Sequence, residues 1–414
     1  MSDTSIFIKN VLFNEQITNI LITNNTFSCI GAEIVAPEGA KIIDASGKAA
    51  FPSFANAHTH AAMTLFRGYG DDHPLGEWLN EWIWPKEKQL DSEIIYWGTR
   101  LACLEMIKSG TTAFNNMYFF LSDEARAIAD SGIRTLLSET LFNNADKDDN
   151  TPLPIWRSDL VQYALAPHAI YTVSEIGLRR CADYCTRNGL KYHIHMSETQ
   201  HEVDECIAQH GCRPFEYLDR LGILEQLNSN IIAAHCLHLS DNEIALIGKY
   251  RCTVVHNPNS NLKLASGHAF RYQELRDAGA NVALGTDGCS SSNNLDMIEA
   301  AKTMSLLQKG WRLEPTALPA TEVLKVATEN GFRAMGIKAG RIEAGYLADM
   351  ILVDLNNLAF VPNNNTTSNL IYAAHGDAVD TVICNGSILM QNRKVKDEAE
   401  IIENARIATK KLLR

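Results

Sequence analysis

Along the middle of the chain, short apolar runs alternate with stretches whose hydrophobic residues recur every three to four positions. Eight runs have this character: FPSFANAH, TTAFNNMY, IRTLLSET, VQYALAPH, KYHIHMSE, NIIAAHCLH, RCTVVHNPN and NVALGTDG. Most are followed by a segment of helical period; SEIGLRRCADYCTRNG comes after the fourth and LDMIEAAKTMSLLQKG after the eighth. Strands alternating with helices make parallel sheets, because a parallel pair needs a crossover connection. Eight such units predict an α/β fold, a closed (β/α)8 TIM barrel.

The two ends of the chain have a different texture. SIFIKNVLF, ITNILITNNTFSCIG and KIIDASGKAAF read as short strands with turn residues between them, and LADMILVDL and AVDTVICNGSILM return to that pattern near the C-terminus. Asn385-Gly386 is a hairpin turn signal. The expected organisation is a barrel over residues 51–340 and a small discontinuous β-sandwich domain built from residues 1–50 and 341–414.

Polar residues fall in a particular place in this pattern. The runs are apolar along their bodies and end on His58 and His60, Asn115 and Asn116, Glu139, His168, His195 and Glu198, His235, His256, and Asp287. All C-terminal ends of a parallel barrel open on one face, where catalytic groups gather. The polarity of loops accounts for Asn115, Asn116 and Glu139 without any function.

Composition narrows the classes of function. The 414 residues carry 37 Lys and Arg against 49 Asp and Glu, a net charge of −12, with no basic block, which argues against nucleic acid as a partner. The ten cysteines are scattered, often in apolar runs, and form no C-x-x-C pair, as expected of reduced, buried thiols in the cytoplasm. No stretch of eighteen apolar residues occurs, so no membrane association is expected.

Within this frame, His58-Thr59-His60 comes first. Residues two apart in an extended segment point to the same side, so both imidazoles can face one ion. An isolated His-x-His pair is a weak signal, but His195, His235 and Asp287 at other strand ends supply the N and O donors that a divalent cation needs.

The stretches FPSFANAHTHAAMTLFRG, EWIWPKE, ALAPHAIYT, HIHMSET, AAHCLHLS, HNPNSNLKLASG and GTDGCSSSNNLDM resemble the amidohydrolase superfamily, specifically its 5-methylthioadenosine/S-adenosylhomocysteine deaminase branch. The resemblance covers nearly the whole chain. It implies one divalent metal ion held by His58, His60, His195 and Asp287, with zinc the usual occupant and iron an alternative. It implies that Glu198 protonates a ring nitrogen, that His235 hydrogen-bonds the attacking water, that Asp287 accepts that water's proton, and that Glu87 and His168 contact a small-molecule nucleoside. The implied reaction is hydrolytic deamination of 5-methylthioadenosine, S-adenosylhomocysteine, 5′-deoxyadenosine or adenosine to the inosine analogue and ammonia. A homo-oligomer, dimer or tetramer, fits the same resemblance. Rival readings are attack on another aminated ring (guanine, 8-oxoguanine, a pterin or an s-triazine) and a catalytically inactive barrel.

Three further readings concern neighbouring residues. Trp82 and Trp84, in the insert after the first strand, could wall the base, although core packing is the commoner use of such a pair. His193 shares a strand face with His195, but the family pattern selects His195 as ligand; His238, His256 and His375 read as structural. Between Thr140 and Ala166 the chain is shorter than in relatives and contains Pro152 and Pro154. There Arg157 is the single Arg between Arg134 and Arg179, and Asp146, Asp148 and Asp149 add negative charge, which predicts a preference for neutral 5′ groups.

Overall fold

The computed structural model describes residues 5–142 and 158–414. Each of the eight apolar runs forms a strand: Phe54–Thr59, Thr111–Tyr118, Arg134–Leu141, Val161–Pro167, Lys191–Met196, Ile231–His235, Thr253–His256 and Asn281–Leu284. Every neighbouring pair in sequence is a parallel pair in space, so the eight strands follow one another around a barrel. Alternation decides what faces where. In the fifth strand Tyr192, Ile194 and Met196 join the apolar layer that includes Leu178 and Cys185 of the preceding helix, which turns His193 and His195 to the opposite face.

That helix, Glu175–Asn188, illustrates the local code. Ser174 caps it by accepting the Gly177 N–H at 3.2 Å, and Gly189 ends it in the left-handed region at φ 65°. The amphipathic face Leu178, Cys181, Ala182 and Cys185 is buried, so tertiary packing and capping agree on the same span.

The barrel closes differently between its first and last strands, where side chains supply most of the bonds. Asn56 Nδ2 donates to Thr286 Oγ1 at 2.7 Å, and Asn56 Oδ1 accepts the Thr286 N–H at 3.1 Å. The Thr59 hydroxyl donates to the Asp287 carbonyl at 2.9 Å, and the Asp287 N–H to the His58 carbonyl at 3.1 Å. Gly285 permits this approach, since a Cβ there would lie 2.8 Å from the His58 carbonyl oxygen and 2.4 Å from Asn257 Oδ1.

The chain ends combine into a single nine-stranded sheet, joined where Lys48–Pro52 pairs antiparallel with Met350–Asp354. The hairpin at Asn385-Gly386 forms as its sequence predicts, with φ of 50° and 73° at the two turn positions. The last helix, Glu398–Leu413, leaves this sheet and packs on the barrel helix Ser92–Lys108, where Ala405, Ala408 and Leu412 join Met63, Phe66 and Trp78. Among the described residues, no helix is long and apolar enough to cross a membrane.

Arg134, at the start of the third barrel strand, fastens the sheet to the barrel. Its Nε lies 3.1 and 3.2 Å from the two Asp349 carboxylate oxygens, and its Nη2 donates to Asn385 Oδ1 at 2.5 Å. Both charged groups are buried. Asp349→Ala leaves the guanidinium buried without its partner and is expected to cost about 3–5 kcal/mol in urea-induced unfolding; a loss under ~1 kcal/mol would show that the clamp is dispensable.

Candidate active site

Strand ends from opposite sides of the barrel bring the expected side chains together. His58 Nε2 lies 3.4 Å and His60 Nε2 3.2 Å from Asp287 Oδ1. The His58 ring centroid is 4.9 Å from that of His60, 5.0 Å from His195 and 5.5 Å from His235. Two overlapping trios, His58 with His195 and His235, and His58 with His60 and Asp287, keep their donor atoms within 4.8 Å of one another. His58 Nε2 is completely buried with no hydrogen-bond partner. A polar atom left so costs free energy unless something else uses its lone pair, and a cation at the centre of the cluster would.

The outer faces of the imidazoles show which nitrogen is available. His60 Nδ1 donates to the Met117 carbonyl at 2.6 Å and His195 Nδ1 to the His168 carbonyl at 2.7 Å. Each therefore turns its Nε2 inward, the orientation of a metal-binding imidazole. Burial pushes the His58 imidazole down to about 4 and holds His195 well below its ordinary range, so both are neutral near pH 7. For His60 burial pulls downward, but the Asp287 carboxylate outweighs it and raises the imidazole; the charge that favours a proton there equally attracts a cation. Burial alone would raise the Asp287 carboxyl, yet the His58 and His60 rings hold it well below the usual carboxylate range.

Asp287 is gripped from both sides. Its Oδ2 accepts the Ser260 hydroxyl at 2.6 Å and the Ser291 hydroxyl at 3.0 Å, while Oδ1 accepts the Gly288 N–H at 2.9 Å and faces the imidazoles. His235 Nδ1 accepts from Asn261 Nδ2 at 2.9 Å, which puts its proton on Nε2, 3.7 Å from Glu198 Oε2. Glu198 also receives the Ser266 hydroxyl on Oε1 at 3.1 Å. The turn that aims Glu198 is pinned by Glu202, whose carboxyl oxygens accept the Ser197 and Glu198 N–H groups at 2.8 Å each. Backbone strain collects at these mouths: Ser197, His235, Cys236 and Asp287 all have positive φ, between 51° and 73°.

Glu87 and His168 line the cavity above this cluster. Tyr118 donates to Glu87 Oε1 at 2.8 Å, and the His168 ring stacks on Phe142 at 4.7 Å. Trp84 lines the cavity as expected, but Trp82 does not: it stacks on His73 at 4.8 Å. The insert is helical here, so residues two apart face different directions, and it is Trp78 that supplies the second indole. Among the described residues no Arg or Lys lines the cavity. The expectations for Asp146, Asp148, Asp149, Pro152, Pro154 and Arg157 lie outside the described residues.

Several contributors were not evident from the sequence. Ser260, Ser266 and Ser291 sit in loops and short helices where serine carries no periodic signal. Asn115, which loop polarity seemed enough to explain, is fully buried inside the barrel. His193 is buried against His58, and period-two alternation with His195 did place it on the inner face. His238 and His256 have structural settings, the first hydrogen-bonded to the Ser266 carbonyl at 2.8 Å and the second stacked on Phe270 at 4.1 Å.

Comparison with known proteins points the same way. The sequence profile of the amidohydrolase family matches residues 49–389. A 5′-deoxyadenosine deaminase of Methanospirillum hungatei is 47% identical over 383 residues, covering 90% of this chain and 85% of that one. A 5-methylthioadenosine/S-adenosylhomocysteine deaminase of Archaeoglobus fulgidus is 43% identical over 406 residues, 95% of each chain. Among solved structures, an adenosine deaminase from Xanthomonas campestris with bound zinc superposes with a TM-score of 0.91 at 34% identity, over 99% of this chain and 98% of that one. An atrazine chlorohydrolase from Arthrobacter aurescens, complexed with zinc, shares the fold at a TM-score of 0.88 and 19% identity, over 98% of this chain and all of that one.

Metal-stripped protein titrated with zinc is expected to take up one equivalent per chain, and His60→Ala to lose that uptake. Two equivalents bound at comparable affinity, or unchanged uptake by the variant, would contradict a single site at this cluster.

Proposed function

The chain belongs to the amidohydrolase family, and on that premise we propose that it is a hydrolytic deaminase of adenosine-type nucleosides, with His58, His60, His195 and Asp287 holding one divalent cation, zinc by preference. The observation that carries this reading is the convergence of the His60 and His195 imidazoles and the Asp287 carboxylate on His58, whose Nε2 is buried without a hydrogen-bond partner. When bound, the cation supplies Lewis-acid activation of water, which makes hydroxide accessible at neutral pH.

The remaining work falls to the chain's own groups. Asp287 Oδ1 takes a proton from the attacking water; its other oxygen is engaged by Ser260 and Ser291, so the carboxylate cannot turn away. His235 donates from Nε2 to the nucleophile's oxygen and steadies it as the ring carbon becomes tetrahedral, its tautomer held by Asn261. Glu198 gives a proton to the ring nitrogen next to that carbon, which takes up the electron pair displaced by the attack. The exocyclic amine then leaves as ammonia, carrying the proton collected by Asp287, while the remaining hydroxyl proton returns to Glu198 as the carbon–oxygen double bond forms, and the inosine analogue remains.

Glu87 accepts the vicinal ribose hydroxyls, one carboxylate oxygen being steadied by Tyr118. Trp78, Trp84, Phe142 and His168 form the walls for base and sugar. Among the described residues the cavity over the cluster has carboxylates but no Arg or Lys, and Lys88 lines only the adjoining cavity, which supports a preference for neutral 5′ groups, as in 5-methylthioadenosine, 5′-deoxyadenosine or adenosine, over the charged homocysteine tail.

Ultraviolet assays that follow conversion of the adenine chromophore to hypoxanthine test the reaction. Nucleosides are expected to turn over and free guanine, pterins and s-triazines to be poor substrates; the reverse order would reject the reading. Glu198→Gln is expected to lower kcat by about 10²–10⁴ with little change in KM, and unaltered kcat would remove Glu198 from proton transfer. For the 5′ preference, kcat/KM for 5-methylthioadenosine is expected to exceed that for S-adenosylhomocysteine, and a clear preference for the latter would overturn it.

A further inference from the structure

His193 lies one layer below the cluster, fully buried, on the inward face of the fifth strand. Its Nε2 is 2.9 Å from His58 Nδ1 and 3.3 Å from Asn115 Nδ2. The Asn115 amide has a fixed orientation, because the same Nδ2 donates to the Ala57 carbonyl at 2.9 Å and its Oδ1 accepts the Ser138 hydroxyl at 3.3 Å. An amide nitrogen has only protons to offer, so His193 Nε2 must present its lone pair. That lone pair can accept one more proton, and the group facing it is His58 Nδ1. The second His193 nitrogen, Nδ1, then carries the ring proton toward Ser138 Oγ, 3.5 Å away.

We propose that His193 is the positioning residue of the metal site: it fixes His58 in the Nδ1-protonated tautomer and so keeps the His58 Nε2 lone pair directed at the cation. This rests on the metal reading above. His58 differs from the other two ligand imidazoles of that reading in this respect. His60 and His195 hand their Nδ1 protons to backbone carbonyls, which can only accept, whereas His58 depends on a side chain that could face it with either a proton or a lone pair. Asn115 removes that ambiguity. Without an acceptor at Nδ1, His58 would gain by moving its proton to Nε2, where the Asp287 carboxylate oxygen stands 3.4 Å away, and a cation would then have to displace that proton.

The test compares His193→Leu with His193→Gln. Leucine fills similar space and accepts nothing, while the glutamine carbonyl can stand where Nε2 stood and accept from both donors. Zinc affinity is read by competition with a chromophoric chelator, independently of turnover, and thermal unfolding of the metal-free forms reports whether each variant folds. His193→Leu is expected to bind zinc about 10–100-fold more weakly than the unaltered protein, with His193→Gln restored to within about threefold. Equal affinity in His193→Leu, or an equal loss in both variants, overturns the proposal. Nitrogen-15 NMR of the unaltered zinc-loaded protein gives a second answer that needs no variant: His193 is expected to be protonated at Nδ1 and bare at Nε2, and the opposite tautomer overturns it. If the unaltered protein itself binds no zinc, the metal reading fails and this inference falls with it, a result distinct from a failure confined to the variants.

Discussion

The structure depends on holding a charged carboxylate and several uncharged imidazoles together in a place with little water. Asp287 stands at the one junction of the barrel where strand pairing gives way to side-chain hydrogen bonds, and His58 and His60 come from the other side of that junction. The bonds of Asn56, Thr59 and Thr286 therefore do two things at once. They close the barrel, and they set the distance between the carboxylate and the rings. A separate strand at this position, paired along its full length, would leave no room for the left-handed backbone at Asp287 that turns its side chain inward.

Around that centre, neighbours assign the protons of several of the polar groups. Carbonyls take the outer protons of His60 and His195, Asn261 gives one to His235, and serine hydroxyls fill the far side of Asp287. In a medium of low dielectric these assignments are expensive to break, so the geometry is pre-organised before any substrate arrives. The strained backbone at Ser197, His235 and Cys236 is tolerated because Glu202 and the neighbouring strands over-determine it.

Much of this was legible in the sequence, for identifiable reasons. Strands buried on both faces read as apolar runs, so all eight barrel strands could be seen, and their polar C-terminal residues marked the functional face. The Asn385-Gly386 turn was legible because only a few residue types accept its backbone. What could not be read was partnership. Alternation put His193 inside the barrel but did not say that it would meet His58, because the neighbour of an inward residue is set by strand stagger and barrel closure. The same limit hid Asn115, whose polarity resembled that of a loop, and the serines that hold Asp287 and Glu198. Trp82 and Trp84 could not be told apart in the sequence, because the helical turn that sends residues two apart in different directions is set by the fold of the insert.

The central claim is that one cation is held by three imidazoles and one carboxylate at the barrel mouth. Anomalous diffraction from crystals of the zinc-loaded protein, recorded on both sides of the zinc edge, tests it most directly. A single peak is predicted, at about 2.0–2.2 Å from Nε2 of His58, His60 and His195 and from an Asp287 oxygen. A peak coordinated by His193 in place of His195, a pair of peaks in the cluster, or a peak elsewhere in the molecule would contradict the account.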